Sequence, residues 1–359
     1  MTFVGSDYRG VTRRGFGSLC AGAVLMSGCS TDDEPGEIVT ARLSFDDLPG
    51  WRADDQKAAG AAFLASRHIA RASPIGPVHD KDWASLPQPD LAGNFRAYFE
   101  THFTPVMIGT PPALFTAYYE PEIAGARHRG GPFQFPLYAR PADLDTKTPY
   151  LTRAEITAGA LTKKGLEIFW LADPVEGFFL EIQGSGRIRL PDGRRVRVGF
   201  AGKNGHPYRA IGKVLIDRGE MTLDQVSAQS IKAWLRAHPD QAAGVMDENP
   251  SYVFFVERTD IAVDAGPVGA MGVSVSAGRS VAVDPAFHPL GAPIWLEADN
   301  APAKLMIAQD VGGAIKGPQR ADLFLGSGDA AGEAAGSYRR TGRMVTLLPN
   351  AAAARLMVG

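Results

Sequence analysis

Three aspartates near the C-terminal end of the chain have the residue type and setting needed for acid–base chemistry. Asp284, Asp310 and Asp322 each end or interrupt an apolar run within residues 281–326. Two of these runs, VAVD and LMIAQD, have the β-branched and aliphatic composition of short strands that lead into turns. Strands of this kind would hold carboxylates at the edge of a buried scaffold, where a substrate can reach them.

Asp322 is the strongest candidate for a general acid because its neighbours are apolar. Leu323 and Phe324 would exclude water from the carboxyl group, which disfavours its charged form and raises its pKa. For Asp284 and Asp310 a structural use stays open, since an aspartate at the end of a strand commonly accepts backbone N–H groups in an Asx-turn.

Two other segments carry polar side chains suited to a carbohydrate. Thr116, Tyr118 and Glu120 alternate in FTAYYEP and would share one face of a strand, where hydroxyl and aromatic groups match the polar edges and apolar faces of sugar rings. Gln183 and Ser185 are each followed by a glycine, Gly184 and Gly186, and these glycines allow a ligand to approach the backbone. The alternatives are a half-buried strand with a wet face in the first segment and a β-bulge in the second.

Length and composition indicate a folded chain rich in turns. With 359 residues and 45% hydrophobic content, the chain can bury a large core and favours two domains. Its 41 Gly and 26 Pro favour many short strands, so we predict a β-rich fold. A net charge of -2 gives no nucleic-acid signature. The seven His are scattered, with no HxH or HxxxH pair, and we predict no metal site.

Periodicity and capping residues predict a few helices around this β structure. Predicted helices lie at residues 55–73, 91–103, 208–220 and 223–239, with Asp90 as the cap of the second. Thr152 with Glu155 and Thr222 with Gln225 have capping-box spacing. A β-hairpin is predicted over residues 167–190 and a strand over NPSYVFFVE at 249–257.

The N-terminus has the three parts of an export signal. Arg13 and Arg14 precede a short apolar stretch, which ends at Ser27-Gly28-Cys29, and a stretch this short does not span a bilayer. The arginine pair resembles a twin-arginine signal. The segment before Cys29 resembles a lipoprotein box, so we predict a signal peptide at 1–28 and a lipidated Cys29 with a polar tether at 29–44. The alternative is an ordinary cysteine after a conventional cleavage site.

Several long segments resemble one known family. DVGGAIKG followed by RADLFLG resembles the three-aspartate domain of the membrane-bound lytic murein transglycosylase A family, as do FTAYYEP, FFLEIQGSGRIRL, NPSYVFF and GAMGVSVSAGRSVAVDP. These segments cover roughly residues 45–349 in the family's order. The resemblance implies a mainly β fold with a few peripheral helices: a double-psi β-barrel at 45–116 and 251–350, and an inserted smaller β-rich domain at 117–250.

The resemblance also implies an activity and a set of residue roles. The family cleaves the β-1,4 bond between N-acetylmuramic acid and N-acetylglucosamine in peptidoglycan and leaves a 1,6-anhydromuramoyl end, with no cofactor. Asp322 would serve as acid and then base, Asp310 would support it, and Asp284 would be structural. Lys316 would contact substrate or the carboxylates. The groove candidates are Thr116, Tyr118, Gln183 and Ser185.

Two other readings of the sequence stay open. A hydrolytic glycosidase would use Asp310 or Glu120 as a second carboxylate, and a wall-binding lipoprotein would keep a groove without catalysis. In the family reading the partner is a peptidoglycan glycan strand. We expect a monomer held at the outer membrane, facing the periplasm, by the lipid on Cys29, with Ser30 favouring outer-membrane sorting.

Overall fold

Two β-sheets organise the chain in a computed structural model, which describes residues 39–69, 78–89, 94–145, 147–262 and 265–356. The strands are β1 (Thr40–Arg42), β2 (Phe103–Ile108), β3 (Ala113–Glu120), β4 (Glu122–Ala126), β5 (Phe135–Tyr138), β6 (Glu167–Leu171), β7 (Ser185–Arg189), β8 (Arg195–Lys203), β9 (Val253–Arg258), β10 (Ser280–Val283), β11 (Pro293–Ala298), β12 (Lys304–Asp310), β13 (Arg320–Ser327) and β14 (Arg339–Pro349).

Short helices connect and cover these strands. They are α1 (Gln56–Ser66), α2 (Asp80–Ala84), α3 (Phe95–His102), α4 (Arg153–Thr157), α5 (Pro174–Gln183), α6 (Ile211–Asp217), α7 (Ala228–Ala237), α8 (Pro239–Asp247), α9 (Asp329–Ser337) and α10 (Asn350–Leu356), with 3-10 turns at Phe45–Asp47 and Arg67–Ile69. Within the described ranges, no helix has the length and apolar character needed to cross a bilayer.

The larger sheet closes into a barrel. Its strands run in the order β1-β2-β14-β11-β12-β10-β13-β3, and a further pairing of β14 with β3 closes the last six of them into a ring. Strands β10 and β12 pair in parallel, as do β13 and β3, while the other pairs in the ring are antiparallel. The mainly β fold and the closed, mixed six-stranded barrel confirm the predicted fold class.

Aliphatic strands and aromatic helices fill the barrel and its outer cover. Leu305, Met306, Ile307 and Ala308 of β12 are all fully buried, because one set of alternate side chains enters the barrel and the other meets the covering helices. Phe63 of α1 packs edge-on against aromatic rings of α3 and β2. This packing fixes the strands that carry the aspartates.

The second sheet has the order β5-β6-β4-β7-β8-β9. The chain enters this sheet at Pro121, between β3 and β4. It leaves the sheet after Arg258, the last residue of β9, because β9 pairs with β8 and not with a barrel strand. The change of sheet therefore differs by a few residues from the predicted limits of the insertion, 117 and 250. Its independence as a folding unit stays a prediction.

One buried ion pair holds the second sheet to its helices. Arg153 of α4 donates from both terminal nitrogens to Glu181 of α5, each at 2.8 Å, and to the carbonyl of Ser251 at 2.6 Å. Glu181 also accepts the N–H of Val253 at 2.8 Å. Burial raises the pKa of Glu181, while Arg153 opposes that shift. The pair therefore links two helices to the start of β9.

The predicted hairpin over residues 167–190 is wrong, because a helix separates its two strands, β6 and β7, and β4 lies between them in the sheet. Residues 174–183 form α5, because Pro174 provides a favourable first helical residue and the side chain of Asp173 accepts the N–H of Val175 as an N-cap. Gly184, with φ of 75°, ends the helix before β7 begins. The apolar run that suggested a strand is a helical segment that is buried on nearly all sides, from Phe178 to Ile182.

Capping residues account for the other differences in the helices. The predicted cap Asp90 lies outside the described residues, and α3 is capped by Asn94. The box at Thr152 is confirmed. At Thr222 the predicted box gives only a turn, and α7 begins later, where Ser227 caps it.

Removing Arg153 should unfold the protein far more easily than removing a surface arginine. In Arg153→Ala the buried Glu181 loses its partner, and such a loss typically costs about 3–5 kcal/mol. The control is Arg236→Ala, whose pairs with Asp173 and Glu176 are partly exposed and should cost less than about 1 kcal/mol. Urea unfolding followed by circular dichroism measures the free energy of unfolding of both variants. Equal losses of stability would contradict the structural role of the buried pair between Arg153 and Glu181.

Candidate active site

Asp322 lies inside strand β13, with one neighbour on each side across the sheet. Its register partners are Thr116 on β3 and Ala282 on β10. The carboxyl group is fully buried. The sequence analysis places Asp322 where a strand gives way to a turn, but β13 continues to Ser327, so the residue is held by backbone pairing on both sides.

The two oxygens of Asp322 have different surroundings. The hydroxyl of Thr116 donates to Oδ1 and itself accepts a hydrogen bond from Arg320 at 2.7 Å. Oδ2 is buried and has no hydrogen-bond partner among the described residues. A buried oxygen without a donor is the natural place for the acidic proton, because a protonated carboxyl avoids an uncompensated buried charge.

Burial gives Asp322 the pKa of a usable acid. Loss of water raises the pKa of Asp322 from 3.8 to about 6, and the nearby charge of Asp310 adds to the increase. The hydrogen bond from Thr116 and the charge of Arg320 act in the opposite direction. This balance leaves a carboxyl group that can both give and accept a proton near neutral pH.

Asp310 approaches the same region from the opposite side of Ala282. Val281 pairs with Ala308 but Ala282 pairs with Asp310, so β12 has one extra residue, Gln309, at this point. Such a bulge redirects the side chain that follows it. Gln309 consequently faces away and donates to α1, to the carbonyl of Ala62 at 2.7 Å. Without the bulge, Asp310 would point away from Asp322.

The oxygens of Asp310 are engaged as acceptors. The phenol of Tyr118 donates to Oδ2 at 2.8 Å, and the backbone N–H groups of Ala270 and Val311 donate to Oδ1 at 3.0 and 2.9 Å. Gly269 comes so close that a Cβ there would lie 2.6 Å from the carbonyl of Gln309. Asp310 therefore orients Tyr118 and draws the segment before β10 over the site.

Asp284 holds the glycine-rich loop that connects β12 to β13. It accepts the N–H of Ala286 at 3.1 Å, in an Asx-turn, and the N–H of Gly317 at 2.9 Å. Gly317 has φ of 101°, which favours glycine. The exposed ammonium group of Lys316 lies 3.8 Å from Asp284, so Lys316 meets this aspartate and extends into solvent.

Gln183 is the last residue of α5, and Ser185 is the first residue of β7 in the second sheet. Both are half-buried. Ser185 pairs with Gly199 of β8. The N–H of Arg187 donates to the carbonyl of Pro121 at 2.8 Å, which brings the start of β7 against the end of barrel strand β3. The structure thus brings Thr116, Tyr118 and the aspartates together in the barrel. Gln183 and Ser185 lie beyond the point where the start of β7 meets the end of β3.

The alternative given above for FTAYYEP, a half-buried strand with a wet face, is not found, because Thr116, Tyr118 and Glu120 are all buried. They do share one face, but each side chain has a protein partner. Glu120 accepts hydrogen bonds from Arg187 at 2.8 Å, Arg197 at 2.7 Å and Ser327 at 2.7 Å. Its carboxylate is held by two arginines and is not available as a second acid.

Sequence reasoning missed two residues that support the site. Arg320 braces Thr116, and the RAD segment is the signal that could have found it. His288 is fully buried between the hydroxyl of Thr346 and the carbonyl of Pro318, each at 2.8 Å. Burial lowers the pKa of His288 to about 4, so the ring is neutral and its Nε2–H donates to Pro318.

Across the described ranges, no cluster of three or more His, Cys, Asp or Glu side chains has an arrangement that could hold a metal ion.

Comparisons with known proteins agree with this arrangement. The MltA specific insert domain model matches residues 114–256, and the 3D domain model matches residues 279–348. The membrane-bound lytic murein transglycosylase A of Escherichia coli (strain K12) is 39% identical over 245 residues, which are 65% of this chain and 65% of that protein. The match thus spans somewhat less than two thirds of this curated relative.

Solved structures cover the chain more completely. The membrane-bound lytic murein transglycosylase from Agrobacterium tumefaciens has a TM-score of 0.79 and 34% identity, covering 88% of this chain and 99% of that one. E. coli MltA with bound chitohexaose has a TM-score of 0.63 and 30% identity, covering 87% and 92%. With both domain models matched in order, this chain belongs to the membrane-bound lytic murein transglycosylase A family.

Proposed function

We propose that this protein is a lytic transglycosylase, which cleaves the β-1,4 bond between N-acetylmuramic acid and N-acetylglucosamine in peptidoglycan and leaves a 1,6-anhydromuramoyl end. The observation that carries the proposal is the buried Asp322, with one oxygen held by Thr116 and the other without a donor. The names of the relatives and the chitohexaose complex of E. coli MltA support a glycan as the substrate.

One carboxyl group is enough for this reaction. Protonated Asp322 gives its proton from Oδ2 to the glycosidic O4 as the bond from C1 to O4 breaks. The carboxylate then takes the proton of the C6 hydroxyl, whose oxygen closes onto C1. No water enters, and Asp322 ends in its starting protonation state. Thr116 keeps Oδ1 occupied, which leaves Oδ2 as the reacting oxygen.

A hydrolase is less well supported because it needs a second carboxylate to activate water or attack the sugar. Asp310 already accepts three hydrogen bonds, and Glu120 is enclosed by arginines. We assign Asp310 the role of orienting Tyr118 beside Asp322, and Asp284 that of holding the loop before β13. Lys316, Gln183 and Ser185 are proposed contacts for the glycan on either side of the acid.

We further propose a lipid-anchored monomer at the outer membrane, facing the periplasm. The basis is the sequence before Cys29, a residue that lies outside the described part of the chain, and the description of the relatives as membrane-bound. The arginine pair at 13 and 14 supports export by the twin-arginine route. A single chain supplies every proposed site residue, so the site needs no second copy.

Asp322→Asn should remove nearly all turnover. Asparagine keeps the shape of the side chain but cannot give or take the proton, and acid–base catalysis is worth about 10²–10⁴ in rate. Asp310→Asn, the control, should lose less if Asp310 only orients. Mass spectrometry of muropeptides from purified peptidoglycan measures both, since an anhydro end lacks one water. Near-normal turnover by folded Asp322→Asn would contradict the role of Asp322 as acid and base. If the wild type released only reducing ends, the protein would be a hydrolase and not a lytic transglycosylase.

Activity should fall as pH rises through about 6. Asp322 must start protonated, and burial raises its pKa to about 6, so the acid is lost above that pH. Thr116→Val removes a hydrogen bond that favours the charged form of Asp322. The fall in activity should therefore move to higher pH in this variant. The measurement is kcat/KM against pH for both proteins. If the fall of kcat/KM occurs at the same pH in folded Thr116→Val as in the wild type, the fall does not reflect the pKa of Asp322.

Cys29→Ser should release the protein from membranes. Lipidation needs the thiol, whereas serine keeps the small size of the side chain. The expected result is a shift from the detergent phase to the aqueous phase in Triton X-114 partitioning of cell extracts. Cys20→Ser is the matched control and should partition like the wild type. If Cys29→Ser also partitions like the wild type, the anchor is wrong.

A further inference from the structure

The turn between β10 and β11 contacts the residues that lead into β13. The N–H of His288 donates to the carbonyl of Asp284 at 3.0 Å and closes this turn. The carboxylate of Asp284 accepts the N–H of Gly317 at 2.9 Å. Nε2 of His288 lies 2.8 Å from the carbonyl oxygen of Pro318. Two side chains of one turn therefore hold two consecutive residues of the segment 317–319, which we name the β13 entry.

The ring of His288 joins the β13 entry to β14. The ring is fully buried, and its Nδ1 lies 2.8 Å from the hydroxyl of Thr346 on β14. Because a carbonyl oxygen only accepts, Nε2 carries the proton that bonds to Pro318, and Nδ1 of the neutral ring accepts from Thr346. Burial favours this neutral form and lowers the pKa of His288 to about 4, against the opposing effects of the Pro318 carbonyl and the charge of Asp284. The ring therefore bonds in the same way at all pH values near neutrality.

Pro318 has no backbone N–H, so its carbonyl and its ring hold it in place. The ring lies against Gly109 in the turn between β2 and β3, where a Cβ would come within 2.4 Å of Pro318 Cγ. The next residue, Gln319, is buried and donates from its side-chain amide to the carbonyls of Ile108 and Met344, at 2.8 and 3.0 Å. The β13 entry is therefore held by β2, β14 and the turn before β11.

The pairing of β13 with β3 starts directly at the β13 entry. The N–H of Leu114 donates to the carbonyl of Gln319 at 2.8 Å. Two residues further along β3, Thr116 is the register partner of Asp322. Arg320 donates to Thr116 at 2.7 Å, and Thr116 donates to Asp322. A displacement of the β13 entry would therefore shift both hydrogen bonds of the Thr116 hydroxyl.

We propose that His288 is a positioning residue for the proposed reaction: by holding the β13 entry to β14, it keeps Thr116 in hydrogen-bond contact with Asp322. The ring acts through Pro318 and the strand that follows, and it transfers no proton itself. The effect of His288 on turnover rests on the proposed function. Its effect on Asp322 requires no activity, so the two can be measured separately.

His288→Phe and His288→Gln separate the hydrogen bonds of the ring from its bulk. Phenylalanine keeps a ring and removes both hydrogen bonds, whereas glutamine keeps an amide N–H that can make the same donation. In His288→Phe the weaker bond from Thr116 and the more distant charge of Arg320 should raise the pKa of Asp322 by about 1, because both contacts favour the charged form. Asp310 raises this pKa, but it is carried by β12 and should not move. His288→Gln should return the pKa toward the wild-type value.

Carbon-13 resonances of labelled aspartate carboxyl groups measure this pKa without substrate, and the resonance absent from Asp322→Asn identifies Asp322. The matched control is Thr104→Val, which removes a buried hydrogen bond, to Asn350, in which the β13 entry takes no part. This control should leave the pKa of Asp322 unchanged.

Three results would overturn the proposal. They are a wild-type pKa of Asp322 in folded His288→Phe, an equal rise in Thr104→Val, and a pKa as high in His288→Gln as in His288→Phe. If His288→Phe does not fold, Thr346→Val, which removes the second partner of the ring, replaces it. A wild-type pKa of Asp322 in Thr346→Val would then overturn the proposal.

Turnover of peptidoglycan separates this proposal from the proposed function. The pH at which kcat/KM falls should rise in His288→Phe by the same amount as the pKa of Asp322, and should stay at the wild-type value in Thr104→Val. If the pKa rises and the fall of kcat/KM does not move, the proposed function is wrong and the positioning by His288 stands. A wild type that cleaves no peptidoglycan likewise refutes the proposed function, and the carboxyl titration still decides the role of His288.

Discussion

The structure depends on keeping one carboxyl group, that of Asp322, out of water. A carboxyl in bulk solvent has almost no proton to give near neutral pH, and the packed barrel excludes water from Asp322 in the middle of its strand. Ring closure by β14 and β3 is what makes this possible. The bulge at Gln309 and the brace from Arg320 to Thr116 are arrangements around the same buried group.

The rise in the pKa of Asp322 that burial causes is partly offset by contacts around its Oδ1 atom. The hydroxyl of Thr116 and the charge of Arg320 limit the rise of its pKa, whereas the nearby Asp310 increases it. The neighbours thus bracket the pKa between that of a free carboxylate and that of a permanently neutral acid. A carboxyl group with an intermediate pKa of this kind can both give and accept a proton near neutral pH.

Much of this could be predicted from the sequence, because it depends on local patterns. The aliphatic strands before Asp284 and Asp310, the apolar setting of Asp322 and the alternation of Thr116 and Tyr118 are visible as residue types at fixed spacing. Residues 178–183 were misassigned because a short apolar run suits a strand or a buried helix equally. The bulge at Gln309 and the partners of Glu120 depend on which distant strands pair, and no local pattern records that.

The pairing of β3 with β13, which are far apart in the sequence, has a consequence for folding kinetics. Thr116 and Asp322 are 206 residues apart in the chain, and between them lies the whole second sheet. Closing such a loop costs entropy before any contact rewards it, and folds dominated by distant pairings are slow to form. Strand β3 gains its partners only when β13 and β14, both after residue 319, are present. The barrel around Asp322 can therefore close only after the chain up to β14 is available.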